Sequence, residues 1–453
     1  MSETVFDGLR AEIAAIGIVR RVGRIAALGR GGIEVTGLSH EATQGDRVRV
    51  TGRDGRETGG EILGLDPERA RVLPDAGAEG LAIGDTVALV GRPEIAPDQS
   101  WIGRIVDAFG RPLDGRPLFR GPHGRALRAS APAAAVRRRL GARLETGVRC
   151  FNTLLPLVRG QRLGVFAGSG VGKSSLLAKF ARGVEADVVV IALIGERGRE
   201  LREFTDRVLG PEGMARAVVV TATSDQSPLI RRRAAWTAMS VAEHFRDLGM
   251  HVLLLMDSVT RFAEAHREVA IAAGEPAGLR GWPASLAHQI MALAERAGPG
   301  PAGMGDITAV LTVLVAGSDM EEPVADILRG VLDGHVVLDR KIAERGRFPA
   351  IDLLRSTSRS LPEAASVREN ALIAEARRLL GAYDRAELMV QSGLYAAGSD
   401  PEVDAALRVW PALDAFLSED EGQDAAASFA RLDAILSPAR PPRSAAPQVS
   451  AGG

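Results

Sequence analysis

Hydrophobic positions take three different spacings along the chain. In residues 16–92 they come in short runs: Ile18–Val22, Gly32–Thr36, Arg47–Thr51, Gly60–Leu65 and Thr86–Val90. Gly- and Asp-containing turns such as Gly29–Gly32 and Arg53–Gly55 break them. Short runs at this spacing predict a small all-β barrel or sandwich, of which the barrel is the expected form. From Leu144 the apolar runs become continuous, at Leu163–Ala167, Val188–Ile194, Ala217–Thr221, Val252–Met256 and Ile307–Val315, with helical stretches between them, Leu229–Leu248 the clearest. Strands apolar on both faces that alternate with helices predict a parallel sheet covered on both sides. After residue 363 the period is helical, over Glu363–Leu380, Arg385–Tyr395, Pro401–Leu417 and Asp424–Leu436. The expected architecture is therefore α/β multidomain. An N-terminal β-barrel (16–92) is followed by a central parallel-sheet domain (93–362) and a helical C-terminal domain (363–436).

The flanks differ from these three blocks. In residues 1–15, Val5, Phe6, Leu9 and Ile13 fall close to one helical face, which suits a partner-binding segment as well as a packed start. Pro93–Gln99 reads as a linker, Ile102–Gly115 as a strand followed by turns, and Pro117–Pro132 as a loop. Residues 437–453 are rich in Pro, Ala and Ser and are expected to be disordered.

Composition narrows the class. Hydrophobic content of 46% and charged content of 25% are those of a globular protein, and 453 residues suit about three domains. A net charge of −1 gives no global attraction to nucleic acid or anionic lipid. The single cysteine, Cys150, excludes an internal disulfide framework and a cysteine-rich metal site, and fits a reducing compartment. Glu3, Asp7 and Glu12 interrupt the N-terminus, so no secretory signal is expected there. No stretch approaches the roughly 18 apolar residues of a membrane span. The expectation is a cytoplasmic protein whose membrane association, if any, is peripheral.

Candidate chemistry concentrates at Ala167–Ser175, AGSGVGKSS, between an apolar strand and the helix-like run Ser174–Arg182. A loop of Gly168, Ser169, Gly170, Val171 and Gly172 can turn successive N–H groups inward, and the helix start adds free N–H groups and a positive dipole end. Lys173 would reach the outer phosphates of a nucleotide and the Ser174 hydroxyl would hold Mg2+, with Ser175 beside it. The lysine stands out because only Lys173, Lys179 and Lys341 occur among 56 basic residues. Ala167 replaces the first glycine of the strict pattern, and the competing reading is a Gly-rich turn that packs a helix on a sheet. His251–Asp257 is an apolar strand ending in a carboxylate, the Walker B pattern, which puts Asp257 near the metal. Ser258 and Thr260 leave open that Asp257 only caps a helix. Glu196, at the end of another strand, can polarise an attacking water or belong to a surface charge cluster over Gly195–Glu200.

In order, AGSGVGKS, ALIGERGREL, TSDQSPL, HVLLLMDSVTRFAEAHRE, DGHVVLDRKIAERGRFPAIDLLRSTSRS and GLYAAGSDPEVDAAL resemble the ATPase of flagellar type III protein export, a relative of rotary ATP synthase catalytic subunits. The resemblance runs from about residue 16 to 436, and the form GSGVGKS is similar to the flagellar branch. It implies that the central domain is RecA-like and that ATP and Mg2+ are bound. Lys173 matches the phosphate lysine, Ser174 the Mg2+ ligand and Asp257 the Walker B aspartate. Glu196 matches the carboxylate that positions water, with Arg197 beside it near the γ-phosphate. Phe348 stands where the family usually has a Tyr stacked on adenine, and keeps the stacking face. Arg359 matches an arginine finger given to the neighbouring subunit, so the resemblance implies a homohexameric ring, whose pore the loop Gly274–Trp282 would face. Implied partners are a peripheral stator protein, a central coiled-coil stalk protein, the membrane export gate, and export substrates with their chaperones. The implied location is cytoplasmic, peripheral at the inner-membrane export apparatus.

The alternatives are an ATPase of virulence (injectisome) type III secretion and a rotary synthase catalytic subunit. A ring-shaped RNA translocase would stack bases on aromatic side chains. No Phe, Trp or Tyr lies between Phe6 and Trp101, so no nucleic-acid partner is expected. A non-catalytic ring subunit would lack the carboxylate at Glu196.

Overall fold

The computed structural model describes residues 8–10, 13, 20–29, 31–315 and 320–440. The expected partner-binding segment 1–15 lies mostly outside the described residues, as does the tail after Arg440.

Six antiparallel strands close the N-terminal barrel: β1 (Val22–Gly29), β2 (Gly32–Thr36), β3 (Arg47–Thr51), β4 (Glu57–Leu65), β5 (Arg69–Pro74) and β6 (Thr86–Gly91), in the order β1-β2-β5-β4-β3-β6. Alternate residues point inward and form a closed core, with Ile33 and Val35 from β2, Val48 and Val50 from β3, Ile62 from β4 and Val72 from β5. Two details depart from the sequence pattern. The first described strand is Val22–Gly29, with Gly23 and Ile25 buried, while Ile18 and Val19 of the expected run lie outside the described residues. β5 was not anticipated, because its inward positions include the small Ala70 and its outward ones are Arg69 and Arg71, which together mask the alternation.

The central sheet contains β7 (Arg104–Val106), β8 (Arg162–Ala167), β9 (Val188–Glu196), β10 (Ala217–Thr223), β11 (His251–Asp257), β12 (Asp306–Leu314), β13 (Gly334–Leu338) and β14 (Ile351–Ser358). Their order is β14-β13-β8-β12-β11-β9-β10-β7. Neighbours are parallel except β13 and β14, and the two-residue strand Gly298–Pro299 adds antiparallel to β12. The helices packed on the sheet are α1 (Lys173–Gly183), α2 (Pro228–Asp247), α3 (Val259–Ala272), α4 (Leu286–Glu295) and α5 (Pro323–Val331). Because side chains alternate along each strand, one face buries Leu163, Val165, Val189, Ile191, Leu253 and Leu255 in one core. The other face sends Phe166, Val190, Val252, Leu254 and Ile307 into a second core with α2 to α5. This double coverage is why the strands read as continuous apolar runs.

The C-terminal helices are α6 (Val367–Gln391), α7 (Pro401–Phe416) and α8 (Ala425–Leu436). α6 is continuous where the pattern suggested two helices. Leu379, Leu380, Ala382 and Ala386 carry its buried face across Gly381, and a Ser366–Glu369 capping box starts it. Tyr383 of α6 stacks on Trp410 of α7, with ring centroids 3.8 Å apart. Ser437–Ala439 adds a 3-10 turn.

Behind the sheet, Arg296 and Glu243 form an ion pair in which both side chains are buried. Arg296 also donates to the Leu127 carbonyl and to Ser240 Oγ. Replacing Arg296 by Met leaves the Glu243 carboxylate buried without its cation. The expected cost is about 3–5 kcal/mol, seen as a lowered thermal midpoint. A midpoint equal to the unsubstituted protein's would show that the pair contributes nothing to stability.

Candidate active site

The phosphate loop follows β8 at the carboxyl edge of the parallel sheet. Gly170 (φ 77°) and Gly172 (φ 88°) take left-handed conformations that side chains disfavour, and this lets the loop curl before α1 starts at Lys173. No side chain caps α1, so its first N–H groups stay available for an anion. Val171 is buried and anchors the loop, while Ser169, Gly170, Ser174 and Ser175 are exposed and Gly168 is partly so. A Cβ on Gly172 would come within 3.2 Å of Phe348 Cδ1. Phe348 thus lies against the loop with 48% of its surface exposed, as a stacking face requires.

Three charged side chains converge at the head of α1. Lys173 Nζ donates to Asp257 Oδ1 at 2.5 Å and lies 3.9 Å from Glu196 Oε1. Asp257 ends β11 and Glu196 ends β9, and the two strands are neighbours. β12 runs between β8 and β11, and from it Thr312 Oγ1 donates to Asp257 Oδ1 at 2.7 Å. Burial pushes the Glu196 carboxyl up to about 7, reinforced by hydrogen bonding with Glu200 and the charge of Asp257 and opposed by Lys173. The α3 cap is Ser258, which accepts from the Arg261 N–H, so the Asp257 carboxylate is free to face the site.

Arg261 and Thr312 escaped the sequence reading. Arg261 packs its stem over Gly195, pairs with Glu264 at 2.9 Å, and feels the charges of Glu196 and Asp257. Its place four residues after Asp257, on the first turn of α3, was a usable signal. Thr312 gave none, being one threonine within an apolar run.

Arg197 and Arg359 stand apart from this cluster. Arg197 is 77% exposed and its ion pair is with Glu200 rather than Glu196. Arg359 is exposed; its N–H donates to the Asp333 carbonyl and its guanidinium to the Arg329 carbonyl. The register shows how far it is from the loop. Ala167, next to the loop, pairs with Leu338, whereas Ser358 pairs with Gly334 at the other end of β13. Four residue steps of about 3.3 Å put Arg359 some 13 Å or more from its own phosphate loop, at the opposite edge of the sheet. The Gly274–Trp282 loop is a largely exposed surface segment, tied down where Ser285 donates to Glu275 and where Arg280 donates to the Glu321 carbonyl.

No group of three or more His, Cys, Asp or Glu able to hold a metal occurs among the described residues. A hard cation that takes few protein oxygens alongside phosphate and water fits the exposed Ser174 hydroxyl and the Asp257 carboxylate better than it would fit a closed cage. Among the described residues, no helix is long and apolar enough to cross a membrane. The arrangement can seat a polyphosphate on backbone N–H groups, neutralise it with Lys173, and hold a water against Glu196.

Comparison with known proteins agrees with this chemistry. Residues 147–358 match the model of the ATP synthase alpha/beta family, nucleotide-binding domain, and residues 365–434 that of the T3SS EscN ATPase C-terminal domain. The chain is 45% identical over 425 residues to the flagellum-specific ATP synthase of Caulobacter vibrioides, covering 91% of this chain and 95% of that one. It is 42% identical over 446 residues to that of Salmonella typhimurium, covering 96% and 97%. Among solved structures it resembles the assembled ATPase EscN of the enteropathogenic E. coli type III secretion system, with a TM-score of 0.84, 35% identity, and coverage of 91% of this chain and 100% of that one. EscN in complex with its central stalk EscO gives a TM-score of 0.82 at 36% identity, with the same coverage.

Proposed function

The chain belongs to the family of flagellum-specific ATP synthases and type III secretion ATPases, and we propose that it hydrolyses Mg-ATP in a homohexameric ring that energises flagellar protein export. The observation that carries this reading is the convergence of Lys173, Asp257 and Glu196 at a phosphate loop whose own Arg359 sits at the far edge of the sheet.

The loop N–H groups and Lys173 bind the β- and γ-phosphates, and Phe348 stacks on the adenine. Ser174 and Asp257 would hold Mg2+, which would supply charge neutralisation at the phosphates. Glu196 orients the attacking water and accepts its proton. Thr312 keeps the Asp257 carboxylate turned toward the loop. Arg197, beside Glu196 in sequence and exposed in the structure, is assigned to the γ-phosphate. Arg359 completes the neighbouring subunit's site, a role that its distance from its own loop supports. The loop Gly274–Trp282 lines the ring's pore.

The partners follow from the assignment: a central coiled-coil stalk, a peripheral stator, the membrane export gate, and substrates with their chaperones. The protein works in the cytoplasm, peripheral to the inner membrane. The loop form GSGVGKS and the flagellum-specific relatives favour flagellar export. The match of residues 365–434 to the EscN C-terminal domain supports a second reading, virulence export, with the same chemistry at the site.

The test is ATPase rate against protein concentration, with and without Mg2+, with sizing at each concentration. Specific activity is expected to rise steeply as rings form and to vanish without Mg2+. Full activity in monomers would sink the shared site.

A further inference from the structure

A cavity of about 810 Å³ lies where the barrel meets the central domain, lined by residues other than those of the phosphate loop. Six arginines line it, Arg47, Arg49, Arg92, Arg111, Arg120 and Arg233, against three carboxylates, Glu57, Asp75 and Glu94. Each carboxylate already has a cation. Asp75 accepts from Arg47 at 2.9 Å, Glu57 lies 3.7 Å from Arg49, and Glu94 pairs with Arg120. Arg92, Arg111 and Arg233 have no carboxylate partner among the described residues. The nearby Asp107 spends Oδ1 on the N–H groups of Phe109 and Arg111.

The excess charge is concentrated. The guanidinium carbons of Arg47, Arg111 and Arg233 lie 5.2, 5.2 and 4.7 Å from the centre of the Phe109 ring. No two of them are then more than about 10 Å apart, each over or beside one ring. Arg233, on α2, is 7% exposed and donates through Nε to the Ala108 carbonyl at 3.1 Å. Burial, then the repulsion of Arg47, pulls it down to about 10 against the more distant charges of Glu61, Asp75 and Asp107, so it stays charged at neutral pH without a carboxylate in direct contact.

We propose that this cavity binds a small polyanion of the diphosphate class through Arg92, Arg111 and Arg233, joining the barrel to α2. A diphosphate matches the three surplus positive charges, and its tetrahedral oxygens suit the guanidinium fork. The volume falls in the range of small-ligand sites. Guanidinium groups already cover Phe109, so recognition falls on phosphate rather than on an aromatic base.

The experiment is calorimetric titration of inorganic pyrophosphate into the full chain, with the phosphate loop first saturated by a non-hydrolysable Mg-ATP analogue in excess Mg2+. One pyrophosphate per chain is expected to bind, more weakly as salt rises. Arg92→Ser/Arg111→Ser should weaken this binding about 100-fold while analogue affinity stays unchanged. Both side chains are exposed, and an unchanged thermal midpoint checks the fold. Absence of binding once the loop is filled would overturn the proposal, as would displacement of the analogue by pyrophosphate or equal binding to the double variant. Citrate binding as tightly as pyrophosphate would overturn the phosphate class.

Discussion

Glu196→Gln is expected to lower ATP turnover by about 10²–10⁴-fold while nucleotide binding and ring formation persist. Gln keeps the size and one oxygen of Glu but cannot accept the proton that water loses as it attacks. Lys173 sits 3.9 Å from this carboxylate and is held more closely by Asp257, so the Lys173–Asp257 contact survives the substitution. The loss should therefore appear in kcat rather than in nucleotide affinity. Single-turnover kinetics with a fluorescent nucleotide separate the two. Turnover within tenfold of the unsubstituted protein would remove Glu196 from the chemistry.

Arg359→Ala is expected to cost about 10³-fold or more in turnover with little change in nucleotide affinity, because the finger acts on charge that develops in the transition state. The loss belongs to the neighbour's site. Mixing Arg359→Ala chains with Lys173→Ala chains should then restore activity. Some interfaces in a mixed ring combine an intact loop with an intact finger. Rate measured across mixing ratios should pass through a maximum, and a flat zero at every ratio would argue against a finger acting between subunits. The contacts in the structure make this a clean substitution. The Arg359 side chain is exposed and its guanidinium meets one backbone carbonyl, so its removal leaves no buried group unpaired.

Lys173, Asp257, Glu196 and Arg359 were legible to different degrees, and for different reasons. Lys173 could be read directly, since a phosphate loop is contiguous and its chemistry depends on neighbours in sequence. Asp257 and Glu196 were visible as carboxylates ending apolar runs. Bare position left each with a structural alternative, a helix cap for one and a surface charge for the other. The structure assigns the cap to Ser258 and turns Asp257 onto Lys173. Arg359 on residue pattern alone was a solvated charge, and only the resemblance singled it out. The antiparallel return of β14 along β13 then accounts for its distance from its own loop.

Within elements, the continuous helix α6 and the strand β5 show where periodicity misleads. The expected helices stop at Leu380 and resume at Arg385, but Leu380 and Ala382 on either side of Gly381 are buried, and tertiary packing outweighs a glycine's helix cost of about 1 kcal/mol. In β5 the apolar signal was diluted by Arg69 and Arg71, which the barrel sends outward.

The phosphate loop, the order barrel, sheet and helices, and most element types other than β5 and the span of α6 were legible in the sequence alone, because each depends on residues within a few positions of one another. Only the tertiary structure decided which elements became neighbours. The order β8-β12-β11-β9 brings Thr312 onto Asp257, and the meeting of β3, α2 and the Phe109 turn gathers arginines 47, 111 and 233 around one ring. Strand order is selected by the burial of whole faces and by the path of the crossovers. Those energies belong to the assembled sheet, so no local stretch of chain records them.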